Sequence, residues 1–335
     1  MSVSILCIGD PHFQDNNKTE YDEMVEKTLN VASKEKPDYI VIMGDTLDRF
    51  KMIHQDPHYD ACQFFYKLKE IAPLYVLIGN HDRRSPAEFM TEKNPFHTIR
   101  DEIITIVWRT HSLYNEILEK NLVFVPYVPK GMFNKAIEDI DMARTASFFA
   151  HQEFKGCEYQ GIVSDDGDVW SIDKPPIISG HIHKYGKMGN ITYVGTPMQH
   201  KIDEVEEKSI SLFTFYPNET LPREKRIFLK CRRKEKIVLT AKQFKKWSYD
   251  PDTTWHITLY DTEGNLAAVQ GDKKYRDLAK KGVKFSECRK YEGDASRERI
   301  DFAIESSNYI ELLQKRIQND EGQKKWLKRF LEEGY

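Results

Sequence analysis

No stretch of this 335-residue chain comes near the roughly 18 apolar residues in a row that a membrane-crossing helix needs. The first residues, MSVSILCIGDPHF, carry no cationic leader ahead of a long apolar run. Cysteine is sparse. The five (Cys7, Cys62, Cys157, Cys231 and Cys288) are scattered, odd in number and form no CxxC pair, so neither a disulfide framework nor a cysteine-based zinc site is indicated. These absences lead us to expect a soluble cytoplasmic protein in a reducing compartment, with no membrane partner. A dominant charge is missing too: the formal net charge is −3, which decides nothing about a polyanionic partner, although a local basic stretch can still supply one. There is no internal repeat and no low-complexity segment. What is present, at 40% hydrophobic residues, suffices for one substantial core and a smaller second unit.

The first 215 residues or so alternate between short β-branched or aromatic runs and helical patterns, the signature of a layered α/β domain. Val3–Ile8 reads as a strand. Tyr21, Met24, Val25, Thr28, Leu29 and Ala32 then recur at spacings of three and four, which predicts an amphipathic helix over 19–34. Tyr39–Met43, Leu74–Ile78, Leu122–Val125, Ala146–Ala150 and Pro176–Ser179 are further strands, each short and almost continuously apolar, as buried strands are. Residues 84–95 read as a surface loop.

The polar residues fall where these strands end. Gly9-Asp10-Pro11-His12 follows the first, Gly44-Asp45-Thr46-Leu47-Asp48 the second and Gly79-Asn80-His81-Asp82 the third. His151 follows Ala150, and Gly180-His181-Ile182-His183 follows Ser179. In open α/β sheets a site lies beyond the carboxyl ends of the strands, so these groups are expected to converge. Carboxylate, imidazole and amide oxygen donors without thiolate suit manganese, iron or zinc at a hydrolytic centre. One shared carboxylate, for which Asp45 is the natural choice, would hold two ions about 3.5–4 Å apart, the spacing used in two-metal hydrolysis.

The ordered set Asp10-Pro-His12, Gly44-Asp45-x-x-Asp48, Gly79-Asn-His-Asp82, His151 and Gly180-His-x-His183 resembles the calcineurin-like metallophosphoesterases. That resemblance implies a β-sandwich flanked by helices. Asp10, His12, Asp45 and His183 would hold one metal, and Asp45, Asn80, His151 and His181 the other. His81 would act beside the scissile phosphate as a general acid or transition-state stabiliser, and Asp48 would orient it by accepting a hydrogen bond from the imidazole. Taken singly, Asp10 and Asp45 read as helix N-caps, Gly79-Asn80 as a turn and His151 as a core histidine. Five pieces in this order outweigh those simpler explanations. The family usually has glycine before the His151 position, where this chain has Ala150.

The same core serves phosphatases, phosphodiesterases and nucleases, so the substrate must come from elsewhere. Tyr193-Val-Gly-Thr-Pro197, followed by His200 and Asp203-Glu204, looks like the YxGTP segment of SbcD-type DNA repair nucleases and the recombination endonuclease subunit of bacteriophages. His151-Gln-Glu153 and Val125-Pro-Tyr127 are similar to segments of that branch. Residues 223–246 hold eleven Lys or Arg against two Glu, a local charge of +9 that would neutralise several phosphates; a solvated strand or linker is the plainer account. Strand, helix and strand at 254–260, 273–281 and 284–290 match the small α/β cap with which that branch engages DNA.

The expected organisation is a catalytic domain over 1–218, a DNA-binding cap over 219–304 and a helical segment over 305–335. That segment would form two helices broken near 319–322 and dock on an SbcC-type SMC-like ATPase, or pack on the protein's own cap. The expected activity is manganese-dependent exonuclease and single-strand endonuclease cleavage of DNA, with two metal ions and with Arg83, Lys184, Arg232 and Arg233 as DNA contacts. The resemblance also implies a homodimer, which no feature of the sequence itself requires. A metallophosphatase or phosphodiesterase acting on small esters, and a metal-binding scaffold without turnover, are the competing readings. The compact length suits a phage or viral source, in which case the cytoplasm is the host's.

Overall fold

A computed structural model describes residues 1–49, 52–159, 162–204 and 206–290. The chain divides into two compact units, one made of Met1–His200 with Glu206–Cys231 and the other of residues 201–205 with 232–335. The expected helices of 305–335, and the end of the cap from 291, lie outside the described residues.

The first unit is a sandwich of two six-stranded sheets. In one, β1 (Val3–Ile8), β2 (Tyr39–Ile42), β3 (Leu74–Leu77) and β4 (Ile104–Val107) run parallel. The other takes β5 (His111–Asn115), β6 (Lys120–Val125), β7 (Thr145–Ala150), β10 (Ile177–Ser179), β11 (Gly186–Met188) and β12 (Ile191–Tyr193) in the order β11-β12-β10-β7-β6-β5. A two-stranded ribbon, β8 (Glu158–Tyr159) and β9 (Ile162–Val163), stands apart. The first sheet is completed beside β1 by β13 (Ser209–Phe215) and β14 (Arg223–Phe228), both antiparallel to their neighbours.

The two-residue period of a strand explains the layering. Ile5 and Cys7 of β1 join Val41, Leu77, Phe124, Phe149 and Ile178 between the sheets, while Leu6 and Ile8 face the helices. Tyr75 stacks flat on Phe124 at 4.2 Å and ties one sheet to the other. The predicted first helix is α1 (Lys18–Glu35), which buries Tyr21, Met24, Thr28 and Ala32 at the expected spacing. It ends at Lys36 in the left-handed region, whose N–H reaches back to the Ala32 carbonyl. The next helix, α2 (Gln55–Lys69), covers the same sheet with Ala61, Phe64, Phe65 and Leu68. Residues 84–95 have no regular element, in keeping with the expected loop.

The basic run is divided between the two units. Arg223–Phe228 is a strand of the catalytic sheet, in register with Ser209–Phe228 and Thr214–Arg223 pairs, so the first unit continues to Cys231, past the boundary expected at 218. The second unit has a parallel sheet of β15 (Arg233–Leu239), β16 (Thr253–Asp261) and β17 (Lys284–Arg289). Parallel neighbours need crossovers, and helices Ala241–Lys246, Glu263–Gln270 and Lys273–Lys280 supply them. The core here is Leu239, Phe244, Ile257, Leu259, Leu266, Val269, Leu278 and Val283. Among the described residues, no helix is long and apolar enough to cross a membrane. All five cysteines are free thiols.

Candidate metal centre

The loops after β1, β2, β3, β7 and β10 meet. Main-chain bonds fasten the first two: His12 N–H donates to the Asp45 carbonyl at 3.1 Å, Phe13 N–H to Thr46 at 2.8 Å and Asp48 N–H to Phe13 at 3.2 Å. Asp82, buried at 0% exposure, holds the third against the second by accepting from the N–H groups of Thr46 (3.0 Å), Leu47 (2.9 Å) and Gly79 (3.1 Å). Burial, reinforced by the charge of Asp45, pushes its carboxyl up to about 6 despite those three donors. The motif GNHD named this residue without showing its task, which is to lock two loops together.

Two ligand clusters result. Asp10, His12 and His183 form one, and Asp45, His151 and His181 the other, with the donor atoms of each lying within 4.8 Å of one another. Asn80 belongs to the second, its Oδ1 lying 3.0 Å from both His151 Nε2 and His181 Nδ1. Asp45 stands between them, Oδ2 at 3.2 Å from His151 Nε2 and 3.9 Å from His12 Nε2, while its Oδ1 accepts the His81 N–H at 2.8 Å. All seven residues expected as ligands are therefore in one place.

The backbone around them is held in unusual conformations. His12 (φ 47°), Asp45 (φ 43°) and His181 (φ 75°) are all left-handed, a region that non-glycine residues seldom occupy and that gathers at functional sites. Two glycines leave room for the ligands. A Cβ on Gly79 would fall on Asp45 Oδ1, and one on Gly44 (φ 107°) on the His151 ring. Ala150, where glycine is usual, is accommodated because its methyl joins the core with Phe148 and Ile177.

The electrostatics suit cations. Asp10 and Asp45 are carboxylates at 0% and 2% exposure, and burying such charge is costly unless it is paired or coordinates a metal. Without a metal, burial and Asp45 push Asp10 up to about 6, against the pull of His151. Burial works against protonating His151, but Asp45 and Asp10 overcome it and raise the ring to about 9. Burial and the His151 charge push His181 down to about 3, and burial, His200 and His183 depress His12. The His151 Nδ1 bond to the Met43 carbonyl at 2.7 Å leaves Nε2 facing the cluster, the usual second-partner arrangement of a ligating imidazole. Oxygen and imidazole donors, two acidic groups and no thiolate fit divalent manganese, iron or zinc.

His81 is beside this set, its ring edge-on to His12 at 5.1 Å. One expectation needs correction. The His81 Nδ1 contact, at 2.5 Å, is with the main-chain carbonyl of Asp48, whereas the Asp48 carboxylate reaches toward His12 Nδ1 at 3.5 Å. The main-chain carbonyl, not the carboxylate, is what meets the His81 imidazole.

The expected DNA contacts are divided between the two units. Arg83 is buried near the centre. Lys184 is exposed and paired with Glu158 at 2.7 Å. Arg232 and Arg233 belong to the second unit. The motif segments do meet the centre: the Tyr127 ring lies 5.9 Å from His181 and 6.2 Å from His151, and Thr196 N–H donates to the His183 carbonyl at 3.1 Å. His200, quoted with that segment but given no role, supports Asp10 through its main-chain carbonyl (2.9 Å) and packs against His12 and His183.

Residues 3–185 match the calcineurin-like phosphoesterase family, and the chain belongs to it. Calcineurin-like phosphoesterases bind two divalent metals, and the two clusters are the candidate sites for them. Among individual relatives, "Putative phosphoesterase 078R" of Invertebrate iridescent virus 3 is 35% identical over 219 residues, 62% of this chain and 61% of that protein. "Putative phosphoesterase 244L" of Invertebrate iridescent virus 6 is 35% identical over 221 residues, 64% of this chain and 77% of that one. The chain thus spans about three fifths of the length of the first of these relatives. Among solved structures, "GAP50 the anchor in the inner membrane complex of Plasmodium" overlaps 68% of this chain and 85% of its own, at 12% identity and a TM-score of 0.42.

Proposed function

We propose that the chain is a manganese-dependent phosphodiesterase that cuts DNA, with exonuclease and single-strand endonuclease activity. The observation that carries the reading is the pair of clusters beside His81, with Asp45 of the second lying 3.9 Å from His12 of the first. Two divalent ions bound there would polarise the phosphate and supply a nucleophile at neutral pH. The protein's own part is orientation and proton transfer. Asp10, His12 and His183 would hold one ion and Asn80, His151 and His181 the other, with Asp45 available to both. His81, with Nδ1 committed to the Asp48 carbonyl, has Nε2 to exchange a proton with the leaving oxygen.

DNA is favoured over small esters by the segments around Tyr127, Glu153 and Tyr193–Pro197. Tyr127 flanks the ligands, Glu153 is held by Ser164 and by Lys130 (3.0 Å), and the Tyr193 hydroxyl accepts the Phe154 N–H (2.9 Å) next to that glutamate. Lys184, Arg232 and Arg233 are proposed DNA contacts, and an SMC-like ATPase and a second copy of the chain are proposed partners, acting in a reducing intracellular setting. The test is manganese-dependent degradation of an end-labelled duplex and a single-stranded circle by the wild type and His81→Ala, with para-nitrophenyl phosphate esters as controls. DNA cleavage lost in the variant supports the reading. Ester hydrolysis without DNA cleavage, with a candidate ATPase present, assigns the protein to small substrates, and metal uptake with no turnover makes it a scaffold.

A further inference from the structure

Next to His81 the first unit has a cleft of about 960 Å³, near the top of the ~300–1,000 Å³ range of small-molecule sites. Ile53, Phe89 and Met90 give it apolar walls, and Arg49, Arg83 and Arg84 give it cations. Arg83 is the unusual member. It is only 2% exposed, and its Nη1 donates to the Glu88 carbonyl at 2.6 Å, yet Nε and Nη2 are buried without a hydrogen-bond partner. A guanidinium does not shed its proton to escape such a position. Leaving buried donors unmet is costly, so such groups in native proteins call for an explanation.

The surroundings supply one. The guanidinium lies over the Tyr127 ring at 5.4 Å, and that ring stands beside His181 and His151, so the guanidinium is one ring away from the second ligand cluster. Met90, in the same wall, is held at φ 46°, in the left-handed region that non-glycine residues seldom occupy. Glu88 is the internal competitor, because its Oε2 is also buried and unpartnered. No ion pair between the two is formed among the described residues.

We propose that this cleft is the leaving-group subsite of the same centre and takes a nucleotide, with a phosphate oxygen on Arg83 Nε and Nη2 and the nucleoside against Phe89, Met90 and Ile53. A fork of paired N–H donors suits phosphate, and the apolar wall suits a base and sugar better than a bare phosphate. The inference rests on the phosphodiesterase reading above.

The test is calorimetric binding of deoxyadenosine 5′-monophosphate and of inorganic phosphate to the manganese-loaded full chain, with manganese content measured in parallel. The wild type should bind the nucleotide at least tenfold more tightly than phosphate. Arg83→Met should weaken both at least tenfold with manganese content unchanged, and Phe89→Ala should weaken only the nucleotide. If Arg83→Met does not fold, Arg83→Lys and Phe89→Ala carry the test. Equal binding of the two anions by the wild type, or wild-type binding by the variants, overturns the subsite while leaving a chain that still hydrolyses phosphate esters as a phosphoesterase. A wild type that takes up no manganese and hydrolyses no ester overturns both.

Discussion

His81 depends for its aim on a main-chain carbonyl, and this separates two substitutions that sequence alone would group together. His81→Ala removes the ring proposed to exchange the proton and should lower kcat about 10²–10⁴-fold with metal content unchanged. Asp48→Asn keeps the carbonyl. Its carboxylate faces His12 instead, so the loss should appear in metal affinity, about 10–100-fold as for other outer partners of a ligand, with kcat at saturating manganese close to wild type. Equal kcat losses in the two variants would refute the backbone assignment. The ligands themselves set a proton count. His151 is raised to about 9 in the metal-free pocket, with burial opposing and Asp45 and Asp10 prevailing, and only its neutral form can ligate. Metal uptake at pH 7 should therefore release about one proton, seen as an enthalpy that varies with the ionisation heat of the buffer. The release should fade as pH rises through 9, where the metal-free ring is already neutral. Below about 6 a second proton should appear, because Asp10 is then protonated without metal.

Strands and helices differ in how openly they announce themselves. Near-continuous apolar runs marked β1, β2, β3, β6, β7 and β10, and all of these but β6 carry ligands beyond their carboxyl ends, so most of the site was legible along with them. The antiparallel pair β13 and β14 was not, because Arg223–Phe228 is a strand of mixed charge, REKRIF, that reads as a basic linker until its partner is seen. Short edge strands such as Gly186–Met188 have too few residues to show a period. The tasks of Asp82 and His200 were hidden for a different reason: both act on loops distant in sequence, through backbone groups that no motif records. Of the second unit only β16, the helix Lys273–Lys280 and β17 were legible, and its stability should rest on the Phe244 ring, fully buried against Tyr275 and Phe285. Phe244→Ala should cost about 3–5 kcal/mol by denaturant unfolding of this unit. If the unit is what engages DNA, cleavage of DNA should fall in that variant while hydrolysis of para-nitrophenyl esters persists. Parallel loss of both activities would argue that the second unit has no separate role.

At the scale of the whole molecule the question is how much of its positive charge is available to a nucleic acid. The run 223–246 holds eleven Lys or Arg in a chain of net charge −3, and full neutralisation of that many phosphates would give a salt slope near −10. The structure spends much of this charge internally. Arg223 is paired with Glu219, Lys225 with Glu35 at 2.7 Å and Arg233 with Glu235 at 3.6 Å, and Arg226 lies 3.6 Å over the Tyr185 ring. Lys230, Lys236, Lys242, Lys245 and Lys246 make no ion pair among the described residues. About five phosphate contacts from this run correspond to a slope of log K against log salt of about −4.5 for a duplex. We expect that value from fluorescence anisotropy of a labelled duplex between low and physiological salt, in calcium to prevent turnover, and a shallower slope when Lys242, Lys245 and Lys246 are changed together to Gln. A slope near −10 would mean that the internal pairs open to meet DNA. A slope near zero would remove this run from the binding surface and leave the catalytic centre to find its phosphodiester without it.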